Sequence, residues 1–100
     1  MACYHLIKIT KSSKSEKKMM AIFENCSSGR RKTVHFGSKG YSDYTIHKDS
    51  ERKNRYITRH SKNENWKDFT SAGSLSRWIL WNKTSVKASI SDYKRKFHFN

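Results

Sequence analysis

The sequence predicts an α+β fold: a small antiparallel sheet of about three strands at the N-terminal end, covered by two or three C-terminal helices. Three observations carry that reading. Up to Gly40, β-forming residues cluster in short runs separated by polar or glycine-containing stretches. From Ser42 onward the apolar residues instead recur at steps of three and four, the helical period. A three-stranded sheet also needs a layer over its apolar face, and the helices supply it. With 100 residues there is room for one domain. Within it, residues 1–17 read as an N-terminal strand and a mobile Lys/Ser loop, and 18–97 as the core.

Residues 4–10 (Tyr-His-Leu-Ile-Lys-Ile-Thr) form the first strand, bounded by the polar run Lys11–Lys18. Met19–Phe23 and Lys32–Phe36 form the next two, joined by a turn at Asn25-Cys-Ser-Ser-Gly29, so that 18–36 reads as a hairpin. Gly37 and Gly40 close the β region. Asp49 is a suitable N-cap, with Glu51 in the first turn, for a helix running to about Lys62. Ser71 caps a second helix, Ala72–Trp81, whose Leu75, Trp78 and Ile79 share a face. Thr84 or Ser85 caps a third, from Val86 to about Phe97, with Val86, Ile90, Tyr93 and Phe97 forming an amphipathic stripe.

The composition sets limits on both fold and partner. Leu, Ile, Val and Phe together make up less than a fifth of the chain, and 22 Lys and Arg face 8 Asp and Glu for a formal net charge of +14. Few aliphatics with high charge is the signature of disorder. Against it, aromatics reach 13% and proline is absent, so a small core of rings is feasible. The charge calls for an anionic partner.

The longest wholly apolar stretch, Met19–Phe23, is too short to span a bilayer or serve as a signal peptide. No membrane partner is expected. Cys3 and Cys26 sit in no metal or redox spacing; a disulfide between them is open, but free thiols in a reducing compartment are the expectation.

Lys48, Arg52, Arg55, Arg59 and Lys62 are spaced by 4, 3, 4 and 3 residues. On one helix those steps keep all five on one face over roughly 21 Å, a row that suits the phosphate backbone of DNA or RNA. The competing reading is an ordinary solvated face, in which Asp49 pairs with Lys53 and Glu51 with Arg55. Arg30, Arg31 and Lys32 form a second basic cluster near Phe36, and Lys94, Arg95 and Lys96 a third near Phe97 and Phe99. Interleaved cations and rings can hold a backbone and stack on unpaired bases, although rings at such positions are more often core.

Neither an active site nor a cofactor is expected. Cys3-x-His5 supplies too few ligands for zinc, and no nucleophile elbow or glycine-rich phosphate loop is present. Asp43 with Glu51-Arg52-Lys53 echoes the Asp…Glu-x-Lys set of metal-dependent nucleases. That set needs Glu and Lys on one face of a strand, whereas positions two apart on a helix diverge.

Phe36-Gly-Ser-Lys-Gly-Tyr-Ser-Asp-Tyr-Thr-Ile-His-Lys-Asp49, Arg55-Tyr-Ile-Thr-Arg-His60, Asn63-Glu-Asn-Trp66, Ala72-Gly73, Ser76-Arg-Trp-Ile-Leu-Trp-Asn-Lys83 and Ser89-Ile-Ser-Asp-Tyr-Lys-Arg-Lys-Phe97 together resemble a family of short basic proteins. It is encoded by large nucleocytoplasmic DNA viruses of the mimivirus and phycodnavirus kind. The chain departs from it at Thr84-Ser85, where members often carry proline. The resemblance implies a viral protein of the virion and the infected-cell cytoplasm, and it implies no activity or catalytic residue.

Three roles follow, with no small-molecule substrate in any. One is sequence-independent genome or RNA binding through Lys48, Arg52, Arg55, Arg59 and Lys62, with Arg30, Arg31 and Lys32 secondary. Another is a minor capsid or cement protein that meets acidic surfaces of virion proteins. Trp78 and Trp81 are then candidate interface residues, because Trp is enriched at hot spots and one small sheet can hardly bury both along with Leu80. A third role is an adaptor or inhibitor of a host protein.

Overall fold

A computed structural model of the chain describes residues 3–99. The predicted α+β architecture is present: strands β1 (Tyr4–Lys11), β2 (Lys17–Asn25) and β3 (Arg31–Ser38), then helices α1 (Tyr44–His47), α2 (Ser50–Ser61), α3 (Ala72–Leu75) and α4 (Val86–Lys96). The sheet is antiparallel in the order β1-β2-β3. The Cα radius of gyration is 13.3 Å, close to the ~13 Å of a folded domain this long. The disorder-like composition therefore still yields a packed chain.

The core needs an extra residue in β1. Leu6 pairs with Phe23 and Ile9 with Ala21, so core positions three apart on β1 meet positions two apart on β2. A β-bulge between Leu6 and Lys8 takes up the difference and turns Ile7 outward, 40% exposed. Tyr4, Leu6 and Ile9 thereby share the face of Met19, Ala21 and Phe23, and the register continues to Val34 and Phe36 on β3.

That shift also brings Cys3 beside Cys26, and the two are joined in a disulfide with Cα atoms 5.4 Å apart. The expectation of free thiols is thus corrected. The pairing depends on strand register, which a separation of 23 residues does not reveal in the sequence.

Lys11 belongs to β1 and Lys17 and Lys18 to β2, so the strands take up both ends of the expected mobile loop. The connection that remains is an ordered turn, in which Ser12 N–H donates to Lys18 O at 3.2 Å and Lys17 N–H to Lys14 O at 3.3 Å. The β2–β3 turn forms where expected. The Asn25 side chain accepts from the backbone of Ser27 and Ser28, and Gly29 takes a left-handed φ of 72°.

Ser71 caps α3 through Ser74 N–H, but the predicted helix 72–81 changes character. Residues Ser76–Leu80 form a π-helical turn, closed by Trp81 N–H on Ser76 O at 3.1 Å. The five-residue step aligns Leu75 with Leu80, so Leu75, Ile79 and Leu80 are all buried. An ordinary helix would have pointed Leu80 elsewhere. Ser85 caps α4 through Ala88 N–H at 3.1 Å, and its predicted stripe packs inward around fully buried Tyr93. Tyr93 Oη donates to Phe69 O at 2.6 Å, and burial raises its pKa. Tyr4, Phe23, Phe69, Tyr93, Phe97 and Phe99 pack as tilted, edge-on and offset-stacked rings, so aromatics fill much of the volume that aliphatics do not.

Among the described residues, no helix is long and apolar enough to cross a membrane.

Candidate polyanion-binding face and adjoining cleft

Helix α2 begins as predicted. The Asp49 carboxylate accepts from the backbone N–H of Glu51 and Arg52, satisfying groups that the first turn leaves unpaired. The helix then divides sharply by side. Tyr56 is its one buried residue, lying parallel to Trp81 with ring centroids 4.2 Å apart, and the His60 ring lies tilted by 31° against Tyr56 at 4.3 Å. Burial pushes the Tyr56 hydroxyl up to about 12. Lys53 also turns inward: its Nζ donates to Asn82 O at 2.8 Å and lies 4.8 Å from the Tyr44 ring centroid. That burial, reinforced by Arg77 and Lys83 nearby, lowers its pKa.

On the outer side Arg52, Arg55 and Arg59 are exposed, as is Lys62 at the C-cap. The pairings of an ordinary solvated face do not form. Asp49 is engaged as a cap, Lys53 points inward, and no salt bridge joins Glu51 to Arg55. The ion pairs among the described residues are Lys18–Asp43, Glu24–Arg31 and Asp92–Arg95, so the α2 arginines stand unopposed.

The five-residue stripe is corrected at one end. Lys48 lies outside the helix, in a left-handed conformation at φ 55°, and ends the short helix α1, which the sequence reading did not anticipate. Asp43 caps α1 through Thr45 N–H and accepts Lys18 Nζ at 2.5 Å. Arg30, Arg31 and Lys32 sit apart. They lie at or beside the start of β3, whose other end borders the α2 region, about 23 Å away along the strand. Arg31 faces Glu24 at 3.7 Å and Lys32 donates to Thr70 Oγ1 at 3.1 Å.

Trp78 and Trp81 are half-buried and tied into the molecule. The Trp78 ring lies against Arg77 and Lys96, each 4.3 Å from its centroid, and its Nε1–H donates to Trp66 O at 3.1 Å. Trp81 carries the Tyr56 stack. Phe36 is 1% exposed, so it belongs to the core and offers no stacking surface. Phe97 and Phe99 are half-buried in the ring cluster.

Between α2, the end of the sheet and the π-helical turn lies a cleft of about 570 Å³. Lys17, Arg52 and Arg59 line it with Tyr41, Tyr56, Trp81 and Glu64. Arg52 and Arg59, seven residues apart, share this side of α2, whereas Arg55 does not reach the cleft. Glu64 rests against Gly73: a Cβ there would collide with its carboxylate. The sequence reading missed Lys17, Tyr41 and Glu64. The available cue was Tyr41 standing next to Gly40 at the junction of the β and α halves.

Residues 7–60 match the model of a family of unknown function, DUF5754. The chain belongs to that family. The matched span runs from β1 nearly to the end of α2, so it holds the three arginines, Lys17 and Tyr41 but ends before Glu64 and the π-helical turn. No curated protein and no solved structure matches the chain. Among the described residues no group of three or more His, Cys, Asp or Glu side chains is placed to hold a metal ion.

Proposed function

We propose that this protein is a non-enzymatic polyanion-binding protein that holds the phosphate backbone of nucleic acid without reading its sequence. The setting we propose is the virion of a large nucleocytoplasmic DNA virus, where it binds or packages the genome. The observation that carries the reading is the outer face of α2, with Arg52, Arg55 and Arg59 exposed and no carboxylate paired to any of them. Like charges at this spacing repel by a few tenths of a kcal/mol per pair, and no carboxylate of the described residues forms an ion pair with any of the three. Phosphates would relieve that repulsion and release condensed counterions. Lys48 and Lys62 flank the row from either end and extend its reach. Reversing Arg52, Arg55 and Arg59 to Glu is expected to abolish measurable binding to a mixed-sequence duplex at moderate salt. Unchanged affinity would overturn the reading.

The disulfide favours a second reading. Cross-links of this kind persist in oxidising surroundings, which include virion surfaces, and this suits a minor capsid or cement protein. Locating the protein in purified particles separates the two roles, because the first requires it with the nucleoid and the second in the shell.

A further inference from the structure

The cleft beside α2 differs in shape from the exposed row of arginines, with Arg52 and Arg59 belonging to both. A convex row of arginines can follow a duplex, whereas a concave site of about 570 Å³ has the size of a small-ligand pocket (~300–1,000 Å³). Its cationic side is formed by Lys17, Arg52 and Arg59; Lys18, also lining it, is already neutralised by buried Asp43. Its aromatic side includes Tyr41, 74% exposed, which is the most exposed large apolar side chain among the described residues.

Tyr41 is held by a defined turn. Its backbone N–H donates to Ser38 O at 3.4 Å, Gly40 takes φ 89° in the position where a type II turn requires glycine, and Lys39 N–H anchors the turn to Glu16 O at 3.0 Å. An exposed ring on a turn whose backbone is fastened to the end of the sheet is available for stacking. No described aromatic partner covers it: Tyr41 takes part in none of the ring contacts that join Tyr4, Phe23, Tyr44, Tyr56, Trp81, Tyr93 and Phe99.

Resting on the backbone-binding reading above, we propose that the cleft receives one unpaired nucleotide. Its base stacks on Tyr41, and its phosphate meets Arg52 and Arg59. Glu64, which has no hydrogen-bond or ion-pair partner among the described residues, also lines the cleft and repels phosphate, so the phosphate sits on the arginines and away from its carboxylate. The protein then prefers single strands, ends or loops to continuous duplex.

The test compares four fluorescent probes of one length: a mixed-sequence DNA strand, its RNA counterpart, the same DNA strand with abasic sites, and the annealed duplex. Wild-type protein is expected to bind the base-bearing DNA strand about tenfold more tightly than the abasic one, the size of one base–aromatic stack. Tyr41→Ala should remove that difference and leave duplex affinity unchanged. Because Tyr41 is largely exposed, the variant keeps the fold, and its thermal midpoint checks this. The RNA arm tells whether the 2′-hydroxyl is accepted. Equal wild-type affinity for base-bearing and abasic strands, or an undiminished preference in Tyr41→Ala, overturns the cleft proposal while leaving duplex binding intact. Loss of all binding by wild-type protein, duplex included, overturns the backbone reading and the cleft proposal with it.

Discussion

Helices α2 and α4 have similar lengths and similar cationic content, yet the molecule uses them in opposite ways. Helix α4 packs against the π-helical turn and directs Val86, Ile90, Tyr93 and Phe97 into the core, and its Arg95 and Lys96 are engaged by Asp92 and the Trp78 ring. Helix α2 buries Tyr56 alone and leaves three arginines without acidic partners. A chain with so few aliphatics cannot give every helix an apolar face. It concentrates them in one layer and holds the other helix by a ring stack and one lysine hydrogen bond, which frees that helix's surface for charge.

The sharpest way to break this contrast is to remove one ring from each layer. Phe23→Ala, deep in the core, is expected to cost about 3–5 kcal/mol and unfold the whole domain together. Tyr56→Ala removes the stack on Trp81 and should cost less, about 2–3 kcal/mol. Its effect should be local: hydrogen exchange across α2 speeds up, while amides of β2 keep their protection. Equal loss in both regions would show that α2 is part of the same cooperative unit as the sheet.

A smaller effect comes from the junction that orients α2. His47 Nδ1 accepts Asp49 N–H at 2.9 Å, and its ring lies 5.3 Å from Trp81. Burial, and then the Arg52 charge, hold its pKa below the usual 6.5. The unfolded chain therefore binds the proton more readily than the folded one. Stability from this group is full above about pH 6.5 and is lost as pH falls through the lowered folded value. Thermal midpoints measured across that window should decline for the wild type, and His47→Gln should flatten this part of the profile. An identical decline in both proteins would assign it to other groups.

Much of the fold was legible because its local signals agree. Asn25 and Gly29 mark the hairpin, Asp49, Ser71 and Ser85 mark helix starts, and the α4 stripe marks a buried face. What the sequence hid depends on pairing between distant residues. The bulge between Leu6 and Lys8 exists because Leu6 and Ile9 must meet Phe23 and Ala21, and the disulfide follows from that register. The π-helical turn reconciles Leu75, Ile79 and Leu80 with one core. The helical part of the cationic row was readable from spacing, while Lys48 fell outside it because α1 intervenes. The cleft was not readable, since Lys17, Tyr41 and Glu64 converge from three separate segments.

The salt dependence of duplex binding tests the central claim most directly, with the wild type set beside a variant in which Arg52, Arg55 and Arg59 are all glutamine. If the row neutralises about five phosphates, log affinity should fall with log salt at a slope near −4.5, and the variant's slope should be shallower by about 3. Thermal midpoints should stay nearly equal, because these side chains are exposed and unpaired. A variant slope indistinguishable from that of the wild type would contradict the claim that α2 is the phosphate-binding surface.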